Sequence, residues 1–195
     1  EESIIRYTKA ITLKPRFAWA YANLGNALSE LGHYEKAIIL YNKAIILKPR
    51  FPEAHNNLGI ILARFKARKF CEPLAKNYLD VLNFKIMIRP TNIINSIVTL
   101  LKHHDTIRKM IRSNEKGGLT YSATELCLRA SKIPLLMKIM EVCPIPDLGI
   151  EELLTGLRRI LLLKRQELSA NRDLLFFQSS LALQCFINEF NMIKF

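Results

Sequence analysis

Few residues in this chain have the type and spacing that chemistry requires. The four histidines are His33, His55, His103 and His104. A helical zinc site wants ligands one turn apart with a third group nearby, whereas His103 and His104 are adjacent and point to different sides. All four read as surface residues, with no metal held. Asp105 beside them suggests acid-base work only if a pocket, a nucleophile or a third group accompanies it, and the sequence offers none. The glycines give a second negative result. A doubly wound nucleotide-type site needs a glycine-rich turn after a strand, so that the backbone can approach the ligand. Gly25, Gly32, Gly59, Gly117, Gly118, Gly149 and Gly156 never form GxG, and no segment alternates polar and apolar residues over a strand length. No catalytic residue and no cofactor is therefore assigned. Glu151 and Glu152 fit the first turn of a helix, where carboxylates favour the positive end of the dipole.

Cys71, Cys127, Cys143 and Cys185 are scattered among mostly apolar neighbours without CxxC spacing. They read as buried, reduced thiols of a cytoplasmic protein. The longest apolar runs, such as Ile160 to Leu163, fall far short of the ~20 residues of a membrane span, so no membrane partner is expected. The formal charge of +12 raises the question of a nucleic acid. Residues 1–70 carry twelve Lys/Arg against five Asp/Glu and the remainder seventeen against twelve, so the excess is spread along the chain. Only Arg64, Lys66, Arg68 and Lys69 cluster, interleaved with Phe65 and Phe70 at a helix end, which reads as solvated surface. RNA binding through that cluster is the weaker alternative, and it would fall steeply with salt.

The elements that position these residues are set by a repeat. Tyr7, Ala10 and Pro15 recur 34 residues later as Tyr41, Ala44 and Pro49, and Asn23, Leu24 and Gly25 recur at the same offset as Asn57, Leu58 and Gly59. A fixed period of this length signals helix hairpins, each covering the apolar face of the next. Within the central copy, Leu24, Gly25 and Leu28 share one side of a first helix, and Gly25 lets a second helix cross closely. Gly32 breaks the chain. Tyr34, Ala37, Ile38, Tyr41, Ala44 and Ile45 follow at three- and four-residue steps as an amphipathic second helix, and Pro49 ends it.

Leu24, Gly25, Gly32, Tyr34, Ala37, Tyr41, Ala44 and Pro49 together resemble the signature of the tetratricopeptide repeat. The resemblance implies an all-α fold, a tetratricopeptide helix-hairpin array followed by a small helical domain. It also implies a binding surface, because first helices in such arrays line a concave groove. It places Trp19, Ala22, Asn23, Asn26 and Ser29 there, followed by Glu53, Asn56, Asn57, Ile60 and Arg64. Asn23 and Asn57 occupy equivalent positions, and a ladder of amides, each with an acceptor and two donors, would hold an extended peptide backbone. The other reading is that these amides bond only within the scaffold.

Taken in order, residues 1–70 read as the array, with a partial, a complete and a decaying repeat, 71–91 as a transition and 92–195 as the helical domain. Glu1 to Leu13 is expected as a second helix alone, Lys14 to Phe17 as a turn, and the third unit as a first helix to about Arg64. The third unit then decays, since Lys66 and Arg68 stand where glycine and tyrosine belong. Phe70 takes over the tyrosine position only if two residues are inserted. Beyond Pro90, Asn92 to Arg112 reads as one amphipathic helix, Ser113 to Leu119 as a loop, and Ser122 with Glu125 as a capping box opening a short helix. Ile133 with Pro134 opens the next helix, and Pro144 with Pro146 enforces a bend. Ile150 to Glu167 and Asp173 to about Met192 close the chain, joined by the turn Ser169 to Arg172.

The stretches 144–162 and 174–190 resemble the helical segment that joins tetratricopeptide repeats to a class I S-adenosylmethionine-dependent methyltransferase in certain bacterial multidomain proteins. The leading expectation is a non-enzymatic scaffold that docks a protein or extended peptide, cut from a larger bacterial protein, since the chain opens without methionine on half a hairpin. The alternative from the enzyme class is the substrate-presenting region of a methyltransferase whose catalytic domain lies outside this chain. The open ends of the array are expected to permit self-association.

Overall fold

A computed structural model describes residues 2–83, 89–115, 123–163 and 172–192. Among them stand eleven helices and no strand. They fall into two compact units, one running to Phe65 and the other comprising Lys66–Leu82 and the residues described from Pro90 onward.

The first unit is built from α1 (Glu2–Leu13), α2 (Ala18–Glu30), α3 (Tyr34–Leu47) and α4 (Pro52–Arg64), each packed on its neighbour in sequence. The central hairpin is α2 with α3. Its turn follows from Gly32, whose φ of 77° lies in the left-handed region that glycine enters without steric cost. That geometry lets the Gly32 N–H donate to the Ser29 carbonyl and the His33 N–H to the Leu28 carbonyl, each at 2.9 Å. The paired bonds satisfy carbonyls that the end of α2 would otherwise leave open, the Schellman arrangement. The crossing of the two helices is set by Gly25. A Cβ there would stand 3.0 Å from Cε1 and 3.1 Å from Cζ of Tyr41, tight enough that the ring would have to give way. Tyr41, Ala37 and Ala44 are buried along that seam, with Leu24 and Ala20 opposite. Burying a ring of that size contributes about 2 kcal/mol. Pro52 then opens α4 at its first turn, where a missing N–H costs nothing.

His55 corrects the expectation of four surface histidines. It is buried on the first turn of α4, with Nε2 2.9 Å from the Pro49 carbonyl oxygen, which accepts its proton. The turn after Pro49 folds back over the imidazole, and a buried N–H needs a partner. Phe51 is fully buried beside the same turn.

The second unit contains α5 (Glu72–Asn83), α6 (Pro90–Lys102), α7 (Asp105–Glu115), α8 (Ala123–Ser131), α9 (Pro134–Val142), α10 (Leu148–Leu163) and α11 (Arg172–Met192). Phe70, the candidate for the missing repeat tyrosine, instead sets its ring edge-on to His104 at 4.6 Å within this unit. The expected single helix from Asn92 to Arg112 is in fact two. The break is made without proline or glycine. The N–H groups of His103 and His104 turn to the carbonyls of Leu100 and Leu101, and Nδ1 of His104 accepts the backbone N–H of Thr106 at 3.2 Å. His104 therefore caps α7 as an Asn or Ser would. Periodicity did not reveal this, because apolar residues continue in step across the cap. Ile93, Ile97, Leu100, Leu101 and Ile107 all point into the core.

α8 and α9 pack on α11, and α8 also meets α10. Pro134 stands in the first turn of α9, as expected. Residues 143–147 form the expected bend, and Asp147 Oδ1 then accepts the Ile150 N–H at 3.1 Å to cap α10 while Oδ2 pairs with Lys102. Glu151 stands in the first turn of α10 and bonds Arg158 at 3.0 Å, and Arg158 Nε reaches the Leu181 carbonyl of α11. One guanidinium thereby ties α10 to α11. Ser113, expected to open a loop, instead belongs to α7, which runs on to Glu115, and Arg172, expected in a turn, opens α11; the rest of the expected loop to Leu119, the serine of the capping box and the turn from Ser169 lie outside the described residues. Cys127 and Cys143 are buried, which pushes both thiols up to about 11, whereas Cys71 is half-buried. Both buried thiols are thus protonated and unreactive near neutrality.

Candidate binding groove

The groove residues stand on α2 and α4, the two first helices of the array. Residues three, four and seven apart share a helix face, and this brings the C-terminal half of α2 against the middle of α4. Asn26 is the hub. Its Oδ1 accepts the Tyr41 hydroxyl at 2.6 Å and the Asn57 Nδ2–H at 2.9 Å. Side chains from two further helices, α3 and α4, thus converge on one oxygen of α2. Around them lies a cavity of 270 Å³ lined by Asn26, Ser29, Glu30, Tyr41, Asn57, Ile60 and Ile61. Burial, then the negative charge of Glu30, pushes the Tyr41 hydroxyl up to about 12. It stays protonated and able to donate at any ordinary pH.

Four residues named from sequence therefore meet in one place: Asn26, Ser29, Asn57 and Ile60. The other six do not line it. Ala22 is buried in the hairpin core and presents no surface. Asn23 is half-buried, and no hydrogen bond of its side chain joins it to the Asn26 network. Trp19 sets its ring edge-on to Phe51 at 4.5 Å, with Lys48 Nζ 5.1 Å from its centroid and 4.7 Å from that of Phe51. It is 44% exposed. Glu53 and Arg64 are exposed and Asn56 is half-buried.

Sequence reasoning missed Glu30, Tyr41 and Ile61. Glu30 was within reach, since it lies four residues after Asn26 and hence on the same face. Tyr41 was assigned wholly to the core, yet its hydroxyl emerges at the cavity. Among the described residues no three His, Cys, Asp or Glu side chains stand together as metal ligands would. No helix among them is long and apolar enough to cross a membrane.

Comparison with known proteins places matches on the first unit. Residues 25–64 match a family model described as TPR repeat, and residues 7–39 match one described as tetratricopeptide repeat. Neither reaches the 144–190 stretch. No curated protein matches the chain. Among solved structures, one described as YrrB, "a TPR protein with an unusual peptide-binding site", is similar at 16% identity over 91% of this chain and 92% of that one, with a TM-score of 0.32. Residues 7–64, which span α1–α4, are thus similar to tetratricopeptide repeats in both sequence pattern and helix-hairpin build.

Proposed function

We propose that this protein is a non-enzymatic scaffold whose repeat segment holds an extended peptide of a partner protein along the face shared by α2 and α4. The observation that carries this reading is the Asn26 hub. The amides of Asn26 and Asn57 are held in place by each other and by Tyr41, yet both side chains line an open cavity. Each keeps donors or acceptors unspent, because an amide offers one acceptor oxygen and two donor hydrogens. Preorganised amides of this kind bind a peptide backbone without first losing rotamer freedom.

The Asn23 and Asn57 ladder is part of the same proposal, with the two rungs now distinguished. Asn57 serves both scaffold and ligand, whereas Asn23 is the rung with no bond to the hub. A peptide selected against the full chain from a random library provides the probe. Asn23→Ala is expected to weaken its binding by ~1 kcal/mol, the usual net worth of a hydrogen bond, at unchanged melting temperature. Asn57→Ala is expected to weaken binding and also to lower stability by ~1 kcal/mol, since it strips a donor from the hub. If both variants lose stability and neither loses affinity, the amides are scaffold only.

A further inference from the structure

The cavity beside the hub points to a particular peptide side chain. We propose that it takes a lysine of the bound peptide, an inference that rests on the groove reading above and adds a sequence preference to it. The cavity, at 270 Å³, is smaller than the ~300–1,000 Å³ of small-molecule sites. It suits one long side chain of a larger ligand.

Its walls are divided in a way that matches that residue. Ile60 and Ile61 form an apolar wall against which a four-carbon stem can lie, while the charged head stays in a more polar place. The polar lining is rich in acceptors. Tyr41 spends its only proton on Asn26, so toward any further partner its oxygen can only accept, and Asn57 spends one N–H in the same way while its Oδ1 remains an acceptor. Among the described residues Glu30 is the one charged group lining the cavity, and it is negative. It is the last residue of α2, so the negative end of that helix dipole lies beside it. An ammonium group brings three donors and no acceptor. An acidic side chain would meet the Glu30 charge and a set of acceptors with no proton to give. Arg64, the nearest named cation on α4, lies one turn beyond Ile60 and does not line the cavity.

The test uses the full chain and three blocked peptides, Ac-Ala-Ala-X-Ala-Ala-NH2 with X as lysine, norleucine or glutamate, titrated while the side-chain amide resonances of Asn26 and Asn57 are followed. The lysine peptide is expected to bind about fivefold more tightly than the norleucine peptide, the size of a partly exposed ion pair, with glutamate weakest. That preference is expected to shrink as salt screens the pair. In Glu30→Gln the lysine preference is expected to disappear; Glu30 is exposed at the end of α2, so the substitution leaves the core untouched. Equal binding of lysine and norleucine, or a lysine preference that survives Glu30→Gln, overturns the lysine pocket and leaves the groove reading intact. If none of the three peptides shifts either amide, the groove reading fails and the pocket with it.

Discussion

The ring of Tyr41 lies against Gly25, so closely that a Cβ on the glycine would stand 3.0 Å from its Cε1. The same tyrosine donates its hydroxyl to Asn26, the next residue along α2. The contact that closes the hairpin therefore also aims the hub of the groove, and fold and candidate site share one ring.

Gly25→Ala is expected to destabilise the protein by about 1–2 kcal/mol. Overpacking against the buried ring costs ~1–3 kcal/mol, and the better helix propensity of alanine returns up to ~1 kcal/mol. Urea unfolding measures the difference. In a Tyr41→Leu background, where the ring is gone, the same substitution is expected to be neutral or stabilising. A loss of equal size in both backgrounds rejects the ring contact as its cause.

Gly32→Ala separates backbone strain from packing. Apart from its own chain neighbours, nothing lies within 4 Å of the position a Cβ would take there, yet φ is 77°. The whole cost is the left-handed conformation, ~1–2 kcal/mol. Gly32→Asn is expected to recover part of it, because asparagine tolerates that region better than alanine. Equal stability of the alanine and asparagine variants would contradict this.

The pH dependence of the second unit is expected to report on His104. Desolvation by burial holds its pKa below the usual histidine value, against the opposing pull of Glu72 and Asp105. Its Nδ1 must be unprotonated to accept the Thr106 N–H. The folded state thus binds a proton less readily than the unfolded chain. Stability from this cap is present above about pH 6.5, the unfolded value, and is lost as pH falls through the lower folded one. His104→Asn keeps a capping acceptor that does not titrate, so stability measured by chemical denaturation between pH 7 and 5 is expected to vary less in it than in the parent.

No residue of α1 is buried. Ile4, Ile5, Thr8 and Leu13 flank an open groove of 560 Å³, and Ile5 and Leu13 are 68% and 73% exposed. Backbone amides of α1 are expected to exchange with solvent about tenfold faster or more than those of α3, whose Ala37, Tyr41 and Ala44 are buried. Protection in α1 that rises with protein concentration is the signature of self-association through this face. Slow exchange in dilute monomer contradicts the expectation.

What the sequence determined by itself is local or periodic. The 34-residue offset, the glycine at each tight place, and prolines at helix starts and stops placed α1–α4 and most of α8–α11 to within a few residues. Such signals are carried by neighbours in the chain, where propensity and sterics act without regard to distant partners. What only the tertiary structure decided depends on groups brought together from afar. Asn57 and Asn26 are 31 positions apart and meet because α2 and α4 pack side by side. Glu30, the Tyr41 hydroxyl and Ile61 become one cavity for the same reason. His55 looked like a surface residue until the Pro49 turn folded over it. The break between α6 and α7 came from an imidazole used as a cap, a choice that propensity cannot register, because His104 has its ring against Phe70 only once α6 and α7 are folded. The Asn26–Asn57 bond, the His55 bond and the His104 cap each rest on a desolvated polar group finding its partner, and such partners are determined by packing rather than by order along the chain.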